Sequence, residues 1–101
     1  MNDKMNYTLE ELKTLVTPIA EKYNVERICL FGSRARGDNS SESDYDFCII
    51  PYKDMSLIQL SNFLIDLKEA LQSEVDVVCE DSVNPKFLES VSADRRVLYE
   101  V

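Results

Sequence analysis

The chain has no histidine, only two glycines, and three cysteines without partner spacing. Without histidine the usual general base is missing, so proton transfer would fall to carboxylates or to a metal-activated hydroxyl. Cys29, Cys48 and Cys79 sit singly in apolar segments, lacking the pairing of a disulfide framework and the close spacing of a zinc site. They read as reduced core residues. No apolar run approaches the roughly 20 residues of a membrane-spanning helix, and the opening MNDKMNYT lacks the apolar stretch of a secretory signal. A cytoplasmic location without membrane contact is expected. The phosphate-binding patterns G-x-x-x-x-G-K-[ST] and G-x-G-x-x-G are also absent. Basic residues are scarce, 11 against 19 acidic, and the net charge of −8 repels nucleic-acid backbones. This disfavours direct nucleic-acid binding. It suits a divalent-metal site or docking to a basic partner, although acidity also serves simply as a soluble surface.

What is present fits one module over residues 1–101, with no repeat and no linker. Thr8 and Glu11 form a capping box, and Leu9, Leu12, Leu15, Val16, Ile19 and Ala20 follow at helical spacing, predicting a helix over 8–23 closed by Asn24. Val25 to Phe31 is rich in strand formers and ends at Gly32. Residues 33–43 read as turn and loop, and Tyr45, Phe47 and Ile49 then alternate with Asp44, Asp46, Cys48 and Ile50 up to Pro51. Leu57, Leu60, Phe63, Leu64, Leu67 and Leu71 mark an amphipathic helix within 54–72, ahead of an apolar strand at 75–79 that carries Asp76. Asn84 before Pro85 starts a short helix to about Ala93, and Val97 to Val101 closes the chain as a strand. This order predicts an α/β (α+β) fold: a small mixed sheet of about four strands, flanked by helices mainly on one side.

Two aspartates in one strand pose the chemical question. Side chains alternate along a strand, so Asp44 and Asp46 share a face with Cα atoms about 6.5 Å apart. Two ionised carboxylates that close need solvent, a basic partner or a cation. A pair of Mg²⁺ ions in a phosphoryl-transfer site uses such carboxylates, and Asp76 is the natural third ligand if its strand lies alongside. The plainer alternative is a strand-end cap at Asp44 and a wet sheet face at Asp46. Gly32 and Ser33 directly after a strand offer close backbone approach, an amide and a hydroxyl, the groups that cradle a polyphosphate, though any tight turn also wants glycine. Arg34 and Arg36 beside them could pair with phosphate or with the aspartates, or simply be surface charge.

Gly32-Ser33-Arg34-Ala35-Arg36-Gly37, then six residues, then Asp44-Tyr45-Asp46, with Ser43 immediately before them, closely resembles the G-S-x-A-R-G-x(n)-S-D-x-D signature of minimal nucleotidyltransferases of the DNA polymerase beta superfamily. The likeness runs through nearly the whole chain. It implies the polymerase beta-like nucleotidyltransferase fold, catalytic and metal-binding roles for Asp44, Asp46 and Asp76 with two Mg²⁺ ions, and a nucleoside triphosphate, ATP, held at Gly32, Ser33, Arg36 and Ser43. Such chains frequently act as antitoxins beside a HEPN-domain ribonuclease toxin, which implies transfer of AMP from ATP to a tyrosine of that partner. A chain this short leaves little for an acceptor-binding domain, so the acceptor is expected on another protein. The other readings are a non-catalytic antitoxin that neutralises by occlusion and, ranked lower, a small-molecule nucleotidyltransferase acting on an aminoglycoside-type hydroxyl. Phe63 and Phe87 read as core, and Tyr7, Tyr52 and Tyr99 as possible interface residues.

Overall fold

A computed structural model of the chain describes residues 7–37, 44–51, 55–80, 85, 86, 89 and 94–101. Its elements are α1 (Leu9–Lys22), β1 (Val25–Phe31), α2 (Ser33–Arg36), β2 (Tyr45–Pro51), α3 (Leu57–Leu71), β3 (Val75–Cys79) and β4 (Arg96–Glu100). Asn84, Phe87, Tyr52 and Ser43 lie outside the described residues, and of the helix expected over 84–93 only residues 85, 86 and 89 are described, all helical.

Local signals start both long helices. Thr8 accepts from the Glu11 amide while Glu11 accepts from the Thr8 amide, the reciprocal box expected from their spacing. Ser56 and Gln59 repeat the arrangement at α3, which therefore begins at Leu57 rather than at Asp54. Asn24 ends the first helix with φ +55, a left-handed conformation that asparagine tolerates better than most residues. Residues 33–36 depart from the loop expected there. They form one helical turn, with the Ala35 and Arg36 amides both bonded to the Gly32 carbonyl. A single turn of four residues carries no apolar periodicity for a sequence to display.

The four strands make one mixed sheet in the order β3-β2-β1-β4. β1 runs antiparallel to both β2 and β4, and β2 runs parallel to β3 through the α3 crossover. The expected mixed sheet is therefore present, with β4 beginning at Arg96 rather than Val97. Alternation sends Ile28, Leu30, Tyr45, Phe47, Ile49 and Val75 into one core with Leu12, Val16 and Ala20 of α1 and Phe63, Leu67 and Leu71 of α3. The spacing of four residues in both helices presents a single stripe to the sheet. Tyr23 packs edge-on to Phe63 at 5.5 Å, and Asp66 accepts from both Lys22 at 3.0 Å and the Tyr23 hydroxyl at 2.8 Å. Those donors hold the Asp66 carboxyl below its usual range.

All three cysteines are thiols. Cys29 and Cys48 are buried and stand directly opposite each other across β1 and β2, on the face turned away from α1 and α3. Burial pushes the Cys48 thiol up to about 12, which leaves it protonated and unreactive.

Phe63 is fully buried where α3 meets Tyr23 and the sheet. Phe63→Ala should cost about 3–5 kcal/mol, read as a lower urea midpoint at unchanged slope.

Candidate active site

The parallel register of β2 on β3 builds the site. Asp46 stands directly beside Asp76 in that register, and since Tyr45, Phe47 and Val75 face the core, both aspartates face the opposite side. Neighbouring strands are about 4.8 Å apart, so the two carboxylates are immediate neighbours. Asp44 precedes the strand by one residue and joins them from the same face, anchored by the Tyr45 amide donating to the Glu74 carbonyl at 3.0 Å. The three aspartates differ in exposure: Asp44 and Asp76 are open to solvent, and Asp46 is half-buried.

Electrostatics follows from that difference. Burial, then the charges of Asp76 and Asp44, raise the Asp46 carboxyl above its usual range, and Arg36 partly offsets them. Among the described residues, positive charge only partly offsets this half-buried carboxylate beside two others. Its hard oxygen donors suit Mg²⁺, which is commonly held by one or two carboxylates together with substrate phosphates rather than by an all-protein cage. Among the described residues, no three acidic, cysteine or histidine side chains are gathered as a metal cage. The donor set fits the ion that the sequence implies.

Above Asp46 lies the Gly32 turn. Phe31 pairs with Asp46 across β1 and β2, which carries Gly32 over the carboxylate. Gly32 has φ +78 and ψ −160, a conformation essentially confined to glycine, and a Cβ there would stand 2.5 Å from Asp46 Oδ2. The glycine is needed both for the backbone angle and for the space. Ser33 opens α2 immediately beyond it. Gly37 ends α2 at φ +86 with no atom within 4 Å of a Cβ, so it serves the backbone alone.

The two arginines of α2 separate. Arg36 faces the carboxylate side, where it acts on Asp46 and lies 3.7 Å from Asp94. Arg34 lies over the Tyr45 ring, 4.0 Å from its centre. Of the residues read from the sequence, Gly32, Ser33, Arg36, Asp44, Asp46 and Asp76 are brought to one end of the sheet, and Ser43 is outside the described residues. Two features had no signal in the sequence. Asp94 reaches Arg36 from the start of the last strand. Glu80, just past the end of β3, is buried; Arg27 Nη2 donates to both of its carboxylate oxygens at 2.9 Å and Arg95 Nη1 to one of them at 3.3 Å. That acid is matched by cations, as a buried charge requires; Asp46 is left under-compensated.

Residues 13–101 match the family model described as polymerase beta, nucleotidyltransferase. A Methanocaldococcus jannaschii protein named as a candidate protein adenylyltransferase, MJ0126, is 37% identical over 95 residues, spanning 86% of this chain and 94% of that one. The protein adenylyltransferase MntA of Thermococcus cleftensis is 29% identical over 96 residues, covering 91% and 95% of the two chains. Among solved structures, a candidate minimal nucleotidyltransferase superposes with TM-score 0.76 at 26% identity over 89% of this chain and 95% of its own. A toxin-antitoxin with AMP-PNP gives 0.77 at 22% identity over 88% and 73%. The tri-AMPylated Shewanella oneidensis HEPN toxin in complex with MNT antitoxin gives 0.72 at 19% identity over 93% and 74%. The chain therefore belongs to the polymerase beta nucleotidyltransferase family and is a nucleotidyltransferase.

Two outcomes follow from this geometry. Gly32→Ala should destabilise by about 1–3 kcal/mol and displace the Asp46 carboxylate, so nucleotidyl transfer falls steeply, whereas Gly37→Ala should lose stability alone; parallel urea titrations and transfer assays distinguish them. Because Asp46 ionises less readily folded than unfolded, the native state holds more protons, and stability falls as pH rises from the unfolded carboxyl value through the raised folded one. Asp46→Asn should thus be more stable than the parent at pH 7 without divalent ions, with the gap closing as pH falls below about 4, followed by chemical denaturation across pH.

Proposed function

We propose that this chain is an antitoxin which transfers AMP from ATP to a tyrosine of a HEPN ribonuclease toxin, with Mg²⁺ as cofactor, and thereby silences it. The observation that carries this reading is the Asp46–Asp76 register pair beneath the Gly32 turn. The protein adenylyltransferase names of the relatives support a protein acceptor, and the toxin-antitoxin complexes among the structural neighbours support a toxin partner.

Asp44 and Asp46 would hold one Mg²⁺, and Asp46 with Asp76 the second. Bound there, the ions would screen charge on the triphosphate and lower the pKa of the attacking hydroxyl. The Gly32 backbone admits the phosphates at close range, with the Ser33 hydroxyl and the Arg36 guanidinium beside them as donors. In the transfer, the tyrosine oxygen forms a bond to the α-phosphorus as the bond to the bridging oxygen breaks, and pyrophosphate departs. Asp76, exposed at the rim, takes the hydroxyl proton, a role open to it because the chain contains no histidine. The acidic surface suits a basic ribonuclease partner. No helix among the described residues is long and apolar enough to cross a membrane.

Co-expression with the toxin, followed by mass measurement of the intact toxin, tests the reading. One or more added AMP groups are expected with the parent chain, none with Asp44→Asn/Asp46→Asn, and none in purified reactions after chelation of divalent ions. Restored toxin growth arrest should accompany the double variant. An unmodified but still neutralised toxin would instead establish occlusion.

A further inference from the structure

Arg34 is the residue whose position departs most from a phosphate-binding role. α2 follows β1 at the same end of the sheet as the start of β2. There the two arginines of α2 diverge, Arg36 toward Asp46 and Arg34 onto Tyr45, a core residue only 1% exposed whose ring faces away from the aspartates. Tyr45 is itself fixed: its hydroxyl accepts from the Tyr7 amide at 3.2 Å, its ring stacks on Phe47 at 6.3 Å, and the Tyr7 hydroxyl donates to the Leu71 carbonyl at 2.8 Å. It is also the residue between Asp44 and Asp46 in the chain.

We propose that Arg34 is a positioning residue that braces the nucleotide turn, its guanidinium clamped on the Tyr45 ring so that Gly32 and Ser33 are held in register with Asp44 and Asp46. The physical logic is that a four-residue helix has no stability of its own. Its hold on the sheet must come from side chains: Ala35 is a buried apolar contact, Arg36 a cation toward Asp46 and Asp94, and Arg34 a cation on the core-side ring of Tyr45. A guanidinium over an aromatic face is attracted by the ring quadrupole, most strongly where water is excluded, as it is around Tyr45. The brace ties the phosphate side of the site to the carboxylate side through one short contact, and it rests on the nucleotidyl-transfer reading of that site.

The test uses the full chain, with Mg²⁺·ATP as the probe, and its readouts are the dissociation constant and amide hydrogen exchange without nucleotide. Arg34→Gln and Tyr45→Leu should each weaken binding about threefold to thirtyfold, the double variant no further than the worse single one, while Tyr45→Phe and Arg34→Lys stay near the parent. The Ala35 and Arg36 amides, bonded to the Gly32 carbonyl, should exchange faster in Arg34→Gln before any nucleotide is added. Thermal melting of each variant separates these effects from global unfolding; should Tyr45→Leu not fold, the exchange and binding of Arg34→Gln and Tyr45→Phe decide. Losses that multiply in the double variant, with unchanged exchange in Arg34→Gln, would show that Arg34 touches the phosphates directly and would overturn the brace alone. A parent chain that does not bind Mg²⁺·ATP would overturn the nucleotide reading and the brace together.

Discussion

The alignment of β2 with β3 is the constraint on which the site depends. A parallel register of Asp46 on Asp76 puts two like charges side by side, which no packing preference would select. It persists because the opposite faces of the same strands bury Tyr45, Phe47, Ile49 and Val75. A slip by one residue would bring these apolar side chains out and the aspartates in, so the hydrophobic alternation enforces the electrostatic juxtaposition. The core holds the repulsion in place, and the repulsion is what gives the face its demand for cations.

Two acids on that same sheet face illustrate how differently a fold treats charge. Glu80 is buried and answered by Arg27 and Arg95, a local arrangement that completes itself. Asp46 is half-buried and answered only in part by Arg36. Among the described residues, the buried Glu80 is fully paired, whereas the half-buried Asp46 is only partly offset. Gly32 stands at the same end of the sheet, and its strained angle and close approach to Asp46 leave no room for a side chain.

The α2 turn is where fold and site meet. It is too short to be a helix by propensity, and it is held by the Gly32 carbonyl, by Ala35 in the core and by arginines sent to opposite sides. The turn lies between β1 and β2, with Arg34 set on Tyr45 and Arg36 toward Asp94.

Much of this was legible in the sequence because the relevant rules are local. The capping box at Thr8, the helical stripe through Phe63, Leu67 and Leu71, and the alternation around Asp44 and Asp46 each involve residues within a few positions of one another. The glycine-serine turn and the acidic pair, at their spacing, carried the family as well. Tertiary structure alone decided which strand lies beside which, and with it that Asp76 meets Asp46, that Cys29 faces Cys48, that Arg34 and Arg36 part company, and that Glu80 finds two arginines. Those are pairings between residues far apart in the chain, as in Arg27 opposite Glu100 and Arg27 with Glu80. Strand order and register arise from burying every apolar face at once, a global condition that no short window of residues contains.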